Sequence, residues 1–249
     1  MIETKLDPKE ELGYDELRRM GQRLHIPIPE VFIKLEVFGR DGKLIQSHHQ
    51  RSHSWTRNAY NMMFSQLAGA PPADVTFEAG KLSQKATSGT IHHGLFPFCM
   101  AYPRIGGSPY TYPYGLDLGY RAPAPNDDYG ILVGSSTDAD GFENYVLIAP
   151  IIDGTGAGQL NYVQSEENTM SYAALALKNE LIRYFNNNTV GLTDVDVNEV
   201  ALVCKTGRVS GPIATDYILM ARDHLASTVT VPSTGQLKVT YTVQLTYPA

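Results

Sequence analysis

The segment "HHQRSHSWTRN", residues 48–58, gathers three histidines, two arginines and the chain's one tryptophan. Those residue types fit a metal centre, a grip on nucleic acid, or a strand-to-helix joint. Geometry argues against the metal. His48 and His49 are neighbours on an expected strand, so their rings point to opposite faces, and His92 and His93 are distant recruits. His53 falls in the turn, with no acid in the segment to orient its imidazole. Charge argues against nucleic acid. The chain carries a formal net charge of −6, whereas phosphate binding needs clustered Lys and Arg. The joint is the favoured reading, with Trp55 as hydrophobic anchor and Arg51 and Arg57 free to hold carboxylates at a subunit boundary.

The other motifs resolve in the same direction. "DGTGAGQL" (153–160) lacks the glycine spacing of a dinucleotide fingerprint and the Lys-Ser/Thr pair of a triphosphate loop, so it reads as a glycine-rich turn. No GxSxG is present, and Cys99 sits among apolar neighbours that would keep it inert. Asp138, Asp140 and Glu143 fall short of a calcium loop and read as a hydrated turn. With only Cys99 and Cys204 and no CxxC, neither a disulfide framework nor a zinc knuckle is expected, and the thiols suit a reducing compartment. No catalytic residue, metal or cofactor is expected. "YVLIAPII" is the longest apolar run, well short of the roughly 20 residues that span a bilayer, and the acidic start does not read as a signal peptide. Neither a membrane nor direct nucleic-acid binding is expected.

The elements that would position these residues can be read in order. Residues 1–30 form an N-terminal arm and linker. Asp7 caps a helix with Pro8 at its first position, Leu12, Leu17, Met20 and Leu24 recur at near-helical spacing, and "HIPIPE" reads as extended linker. Residues 31–249 form one β domain. It opens with a hairpin turning at Asp41-Gly42, with Val31, Ile33, Leu35 and Val37 on one face. A helix of about four turns follows, capped by Ser54 and stopped by Gly69, so apolar that it should be covered on most of its surface. Residues 70–130 are an aperiodic Tyr/Pro/Gly-rich insertion.

Strands dominate thereafter: "YGILVGSS", "NYVLIAPII", "ELIRYFNN", "VDVNEVALVC", "DYILMAR" and "STVTVP". In the fourth of these the apolar phase shifts at Asn198-Glu199, which predicts a β-bulge. The last strand, "GQLKVTYTVQLT", alternates Leu237, Val239, Tyr241, Val243 and Leu245 with polar residues, giving one dry face and one wet. Strands without interleaved helices imply a mainly β protein, an antiparallel β-sandwich or barrel. Tyr offers large contact area for few rotatable bonds, so Tyr110, Tyr112, Tyr114 and Tyr120 join Leu12, Leu17, Met20 and Leu24 as candidate interface residues, the alternative for the tyrosines being an internally packed loop.

"APIIDGTGAGQLNY" (149–162), "RYFNNNT" (183–189), "VNEVALV" (197–203) and "LMARDHLASTVTVPSTGQLKVTYTVQLT" (219–246) resemble, in order and spacing, β-sandwich virion structural proteins of tailed bacteriophages. "RSHSWTRNAYNMMF" is similar to a segment upstream in some members. The likeness covers the last hundred residues or so well, the first seventy loosely and the insertion not at all. It implies a jelly-roll-like sandwich with an N-terminal helical arm and one buried helix after the first hairpin. It also implies a non-enzymatic structural subunit of the capsid surface, head–tail junction or tail, made in the host cytoplasm and located in the virion. Its partners would be copies of itself and other virion proteins. The alternative is a carbohydrate- or receptor-binding module, in which the insertion stacks against a host surface glycan.

Overall fold

The computed structural model describes residues 1–93, 97–98, 119–208 and 214–248. The first half of the chain carries β1 (Ile2–Thr4), α1 (Pro8–Leu24), β2 (Ile28–Phe38), β3 (Leu44–Arg51) and α2 (Arg57–Ala68). Three short strands follow: β4 (Gln84–Lys85), β5 (Ile91–His92) and β6 (Pro97–Phe98). The second half carries β7 (Gly130–Gly134), β8 (Asn161–Tyr162), β9 (Thr169–Ala173) and β10 (Ala176–Asn186). It ends with β11 (Val195–Arg208), β12 (Ala214–Val231) and β13 (Gln236–Thr246). The protein is mainly β, as composition and alternation imply.

The larger sheet runs β1-β3-β2-β13-β10-β8, with β9 on the same flank of β10 as β8. Every pairing in it is antiparallel except that of β1 with β3. The smaller sheet centres on β11, flanked by β12 on one side and by β7 and β6 on the other. Ile33, Leu35, Leu181, Phe185, Val239 and Tyr241 of the larger sheet share one buried cluster with Ile131, Val197, Leu202, Leu219 and Val229 of the smaller. Burying such side chains is worth about 1.5–3 kcal/mol each. A second cluster lies beyond the smaller sheet, where Ala59 and Met62 of α2 meet Ile218, Met220 and Cys204.

Several local expectations hold. Asp7 caps α1 through the Lys9 N–H, Pro8 opens it, and Gly69 closes α2 in the left-handed conformation. The register of β11 against β12 shifts between Val197 and Glu199, where the phase change placed a bulge.

Others need correction. β2 begins at Ile28, inside the stretch read as linker, and its first residue pairs with Thr246. "NYVLIAPII" makes no strand; Leu147 and Ile151 are buried, but the Ile148 and Ala149 N–H groups donate to the Glu199 carboxylate, taking up bonds a strand partner would take. "DYILMAR" and "STVTVP" belong to one strand, β12, because Arg222 and Asp223 between them are buried by specific partners. Thr56, not Ser54, is the N-cap of α2, and its hydroxyl donates to the Leu219 carbonyl instead of capping.

α2 is covered on one face only. Asn58, Ala59, Met62 and Ser65 are buried, while Tyr60, Met63, Phe64 and Leu67 are exposed, Leu67 at 82%. The expectation of a buried helix is thus half right: a helix apolar all round has been left with one apolar stripe in solvent. Cys204 is disulfide-bonded, against the expectation of unlinked thiols.

Candidate functional site

The segment 48–58 is where both sheets, both helices and a distant loop meet. β3 alternates its side chains, so His48 and Gln50 face inward and His49 and Arg51 face out. Gln50 docks on β12, donating to the His224 carbonyl (3.0 Å) and accepting from the Ala226 N–H (3.0 Å). That fixes its amide, so its oxygen, 2.7 Å from His48 Nε2, places the His48 proton on that nitrogen. His48 Nδ1 then accepts from the Ser227 hydroxyl at 3.1 Å.

Past the strand, Ser52 donates to Asp223 (2.8 Å) and lies 2.9 Å from the Tyr241 hydroxyl, which also donates to Asp223. The His53 N–H completes this buried set. Burial pushes the Asp223 carboxyl above its usual range despite these donors, and lifts Tyr241 well above its own. Trp55 bridges to Ala221 and packs against both clusters. Arg57 reaches Glu143 on the 138–144 loop.

A cleft of about 280 Å³ opens beside this seam, lined by Lys5, Asp7, Glu10, His49, His53 and His224 among others. His53 Nε2 lies 2.9 Å from Glu10 Oε1, so the acid absent from the segment is supplied by α1. Among the described residues no group of three or more His, Cys, Asp or Glu is placed to hold a metal ion. The carboxylates of Arg51 and Arg57 belong to this chain: Glu11 and Glu30 for the first, Glu143 for the second. Arg51, 1% exposed, also lies under the Tyr14 ring at 3.8 Å. The arrangement clasps α1 to the larger sheet.

Burial holds the His48 and His49 pKa values below 6.5. As pH falls below about 6.5 the unfolded chain takes up protons that the folded chain resists, so stability is lost on acidification through the window below that value. The raised carboxyl of Asp223 acts with the opposite sign, favouring the folded state at lower pH. Urea midpoints measured from pH 7.5 to pH 5 for wild type and for His48→Gln separate the two. The variant is expected to lose less stability on acidification than wild type, and parallel curves would remove His48 from the account.

Two further buried arginines went unremarked in the sequence. Arg222 pairs with Glu199 (2.6 Å), both side chains fully buried, and donates to the carbonyls of Asp138 and Ala139. Gly134 lies opposite Glu199, and a Cβ there would meet the carboxylate at 2.3 Å, so the glycine makes the space. Arg183 spends its donors on five carbonyls, those of Val163, Tyr129, Ile131, Pro123 and Asn126. A lone Arg flanked by apolar residues in "LIRYF" was the available signal.

The predicted interface residues divide. Leu12, Leu17, Met20 and Leu24 are all exposed on α1, at 42–69%. Tyr120 is half-buried, packs against both clusters, and has its hydroxyl pKa raised by burial. Tyr110, Tyr112 and Tyr114 lie outside the described residues. Compared with protein-family models, with curated proteins and with solved structures, the chain matches none.

Proposed function

We propose that the chain is a non-enzymatic structural subunit of a tailed-phage virion, built as an antiparallel, jelly-roll-like β-sandwich that assembles with copies of itself and with other virion proteins. The observation that carries assembly is the stripe Tyr60, Met63, Phe64 and Leu67, one helical turn apart and exposed on a helix whose other face is fully used. Contiguous exposed apolar surface of this kind marks interaction sites. Leu17, Met20 and Leu24 on α1 add a second such row, held outward by the Arg51 clasp on the opposite side. The virion setting follows from the sequence resemblance. The buried polar seam supports the reading in a different way, since its charged groups are spent on tying elements of the chain together.

The test uses Phe64→Glu with Leu67→Glu, two surface changes that should leave the melting temperature near wild type. Virions purified from cells producing the chain should contain the wild-type protein and lack the variant. A chain absent from particles, or a variant incorporated as well as wild type, overturns the proposal.

A further inference from the structure

The smaller sheet's outer edge is systematically closed by the chain itself. Along β12, backbone groups from Tyr217 to Thr230 are taken by Thr87, Thr56, Ser54, Asp140, Gln50 and Gln46. The edge of β7 is closed by Ala149 and Ile151. At one end of the larger sheet, β1 is a three-residue strand followed by a Glu3–Lys5 ion pair, a short and charged edge of the kind that discourages pairing.

β9 has none of these devices. All five residues, Thr169–Ala173, are exposed, its register with β10 runs without a shift, and it contains no charge and no proline. Its hairpin turns through Ala174 and Leu175, both at positive φ (49° and 65°), the primed turn that a two-residue loop requires, here adopted without glycine. In such a hairpin the flanking pair, Ala173 and Ala176, exchanges both backbone hydrogen bonds. Alternation then turns the backbone groups of Thr169, Ser171 and Ala173 toward β10 and those of Met170 and Tyr172 toward the open edge.

The side chains of that edge are also incomplete. Met170 and Tyr172 lie on the core side of the sheet, in rows with Asn179 and Val243, and with Leu177 and Leu245. Those rows run past the smaller sheet: Met170 is 67% and Tyr172 60% exposed, and Val243 and Leu245 are half-buried.

We infer that β9 pairs antiparallel with β9 of a second copy, with Ser171 on the two-fold axis, so that the larger sheets of two copies become one. The strand is self-complementary in that register. Met170 meets Tyr172 of the second copy, and both are outward-facing residues, so each pair exchanges both hydrogen bonds. Ser171 meets Ser171 as a non-hydrogen-bonded pair, Thr169 meets Ala173, and no like charges are opposed. On the core side each Met170 sulfur lies against a Tyr172 ring, a favourable contact, and an isologous pairing closes without leaving a free edge to propagate.

The inference stands apart from the virion reading, because it concerns the isolated protein and a strand remote from α2. Ser171→Cys places two thiols across a pair whose Cα atoms are about 4.5 Å apart, within disulfide range. Thr169→Cys, two residues away, puts its thiol opposite Ala173 and far from its own counterpart. Under mild oxidation, the Ser171→Cys protein should accumulate covalent dimer on a non-reducing gel, while Thr169→Cys and wild type should not. Equal cross-linking of the two variants, or none in either, overturns the inference. Met170→Pro removes an outward donor and leaves the internal ladder intact. Sedimentation of that variant, shown folded by circular dichroism, should report association about tenfold weaker or more. Unchanged association would equally refute the pairing.

Discussion

Arg222→Ala is expected to cost about 3–5 kcal/mol of folding stability, the usual penalty for leaving one member of a buried ion pair unpaired. Against a total of about 5–15 kcal/mol for a native protein, that is enough to leave much of the chain unfolded at 37 °C. The reason is geometric. Glu199 Oε2 accepts from Arg222 at 2.6 Å while Oε1 accepts from the Ala149 N–H at 2.8 Å, so the carboxylate is held by donors on two sides and has no exposure. Removing the guanidinium strands that charge and also releases the carbonyls of Asp138 and Ala139. Glu199→Gln leaves the Arg222 charge buried but keeps an acceptor for it, beside two carbonyls and with Asp140 3.9 Å away, so it should cost less. A urea-denaturation double-mutant cycle with Arg222→Met and Glu199→Leu checks the coupling: the double variant should be more stable than either single one suggests. Simple additivity would mean that the two residues act separately.

The second large effect is at Arg183. Burial draws its pKa down to about 10, and among the described residues no carboxylate hydrogen-bonds to it. It is held by carbonyl dipoles, with the Tyr162 ring 4.7 Å from its guanidinium carbon. Arg183→Met relieves a desolvated charge yet orphans five acceptors, each worth about 1–3 kcal/mol when buried and unmet. The orphaned acceptors outweigh the relief, and a net loss of roughly 3–5 kcal/mol is expected after partial rehydration. Arg183→Lys keeps the charge but offers three donors in place of five, so it should fall between. Wild-type stability in the Lys variant would show that the fork geometry is unimportant. Limited proteolysis should find its first new cuts between residues 121 and 131, the segment that supplies four of the five carbonyls through Pro123, Asn126, Tyr129 and Ile131.

These residues explain which parts of the molecule could be read beforehand. Bulge, cap and turn are local events: the phase change around Asn198, the Asp7-Pro8 pair and Gly69 each carry their meaning within a few positions. The alternation in β13 is equally local, although it overstates burial, since Val243 and Leu245 continue the dry face beyond the sheet that would cover it. β12 looked like two strands because Arg222, Asp223 and His224 break its apolar run, and the partners that make two of them acceptable, Glu199 and Ser52, lie far away in sequence. The same distance hid the Arg51 clasp, whose acids sit on α1 and β2. For α2 the pattern was ambiguous in principle. Both faces are apolar, so only the tertiary packing decides which is buried.

β13 sits between β2 and β10, at the middle of the larger sheet, although most of the other elements separate it from β2 in sequence. During synthesis β2 therefore emerges with its apolar row already written and waits, through nearly the whole chain, for the neighbour that will cover its flank. The β2–β3 hairpin can form early, but the sheet cannot close until β13 has left the ribosome. A fold completed by so distant a contact is slow and passes through species with open edges, so the flank of β2 stays exposed to aggregation until β13 arrives.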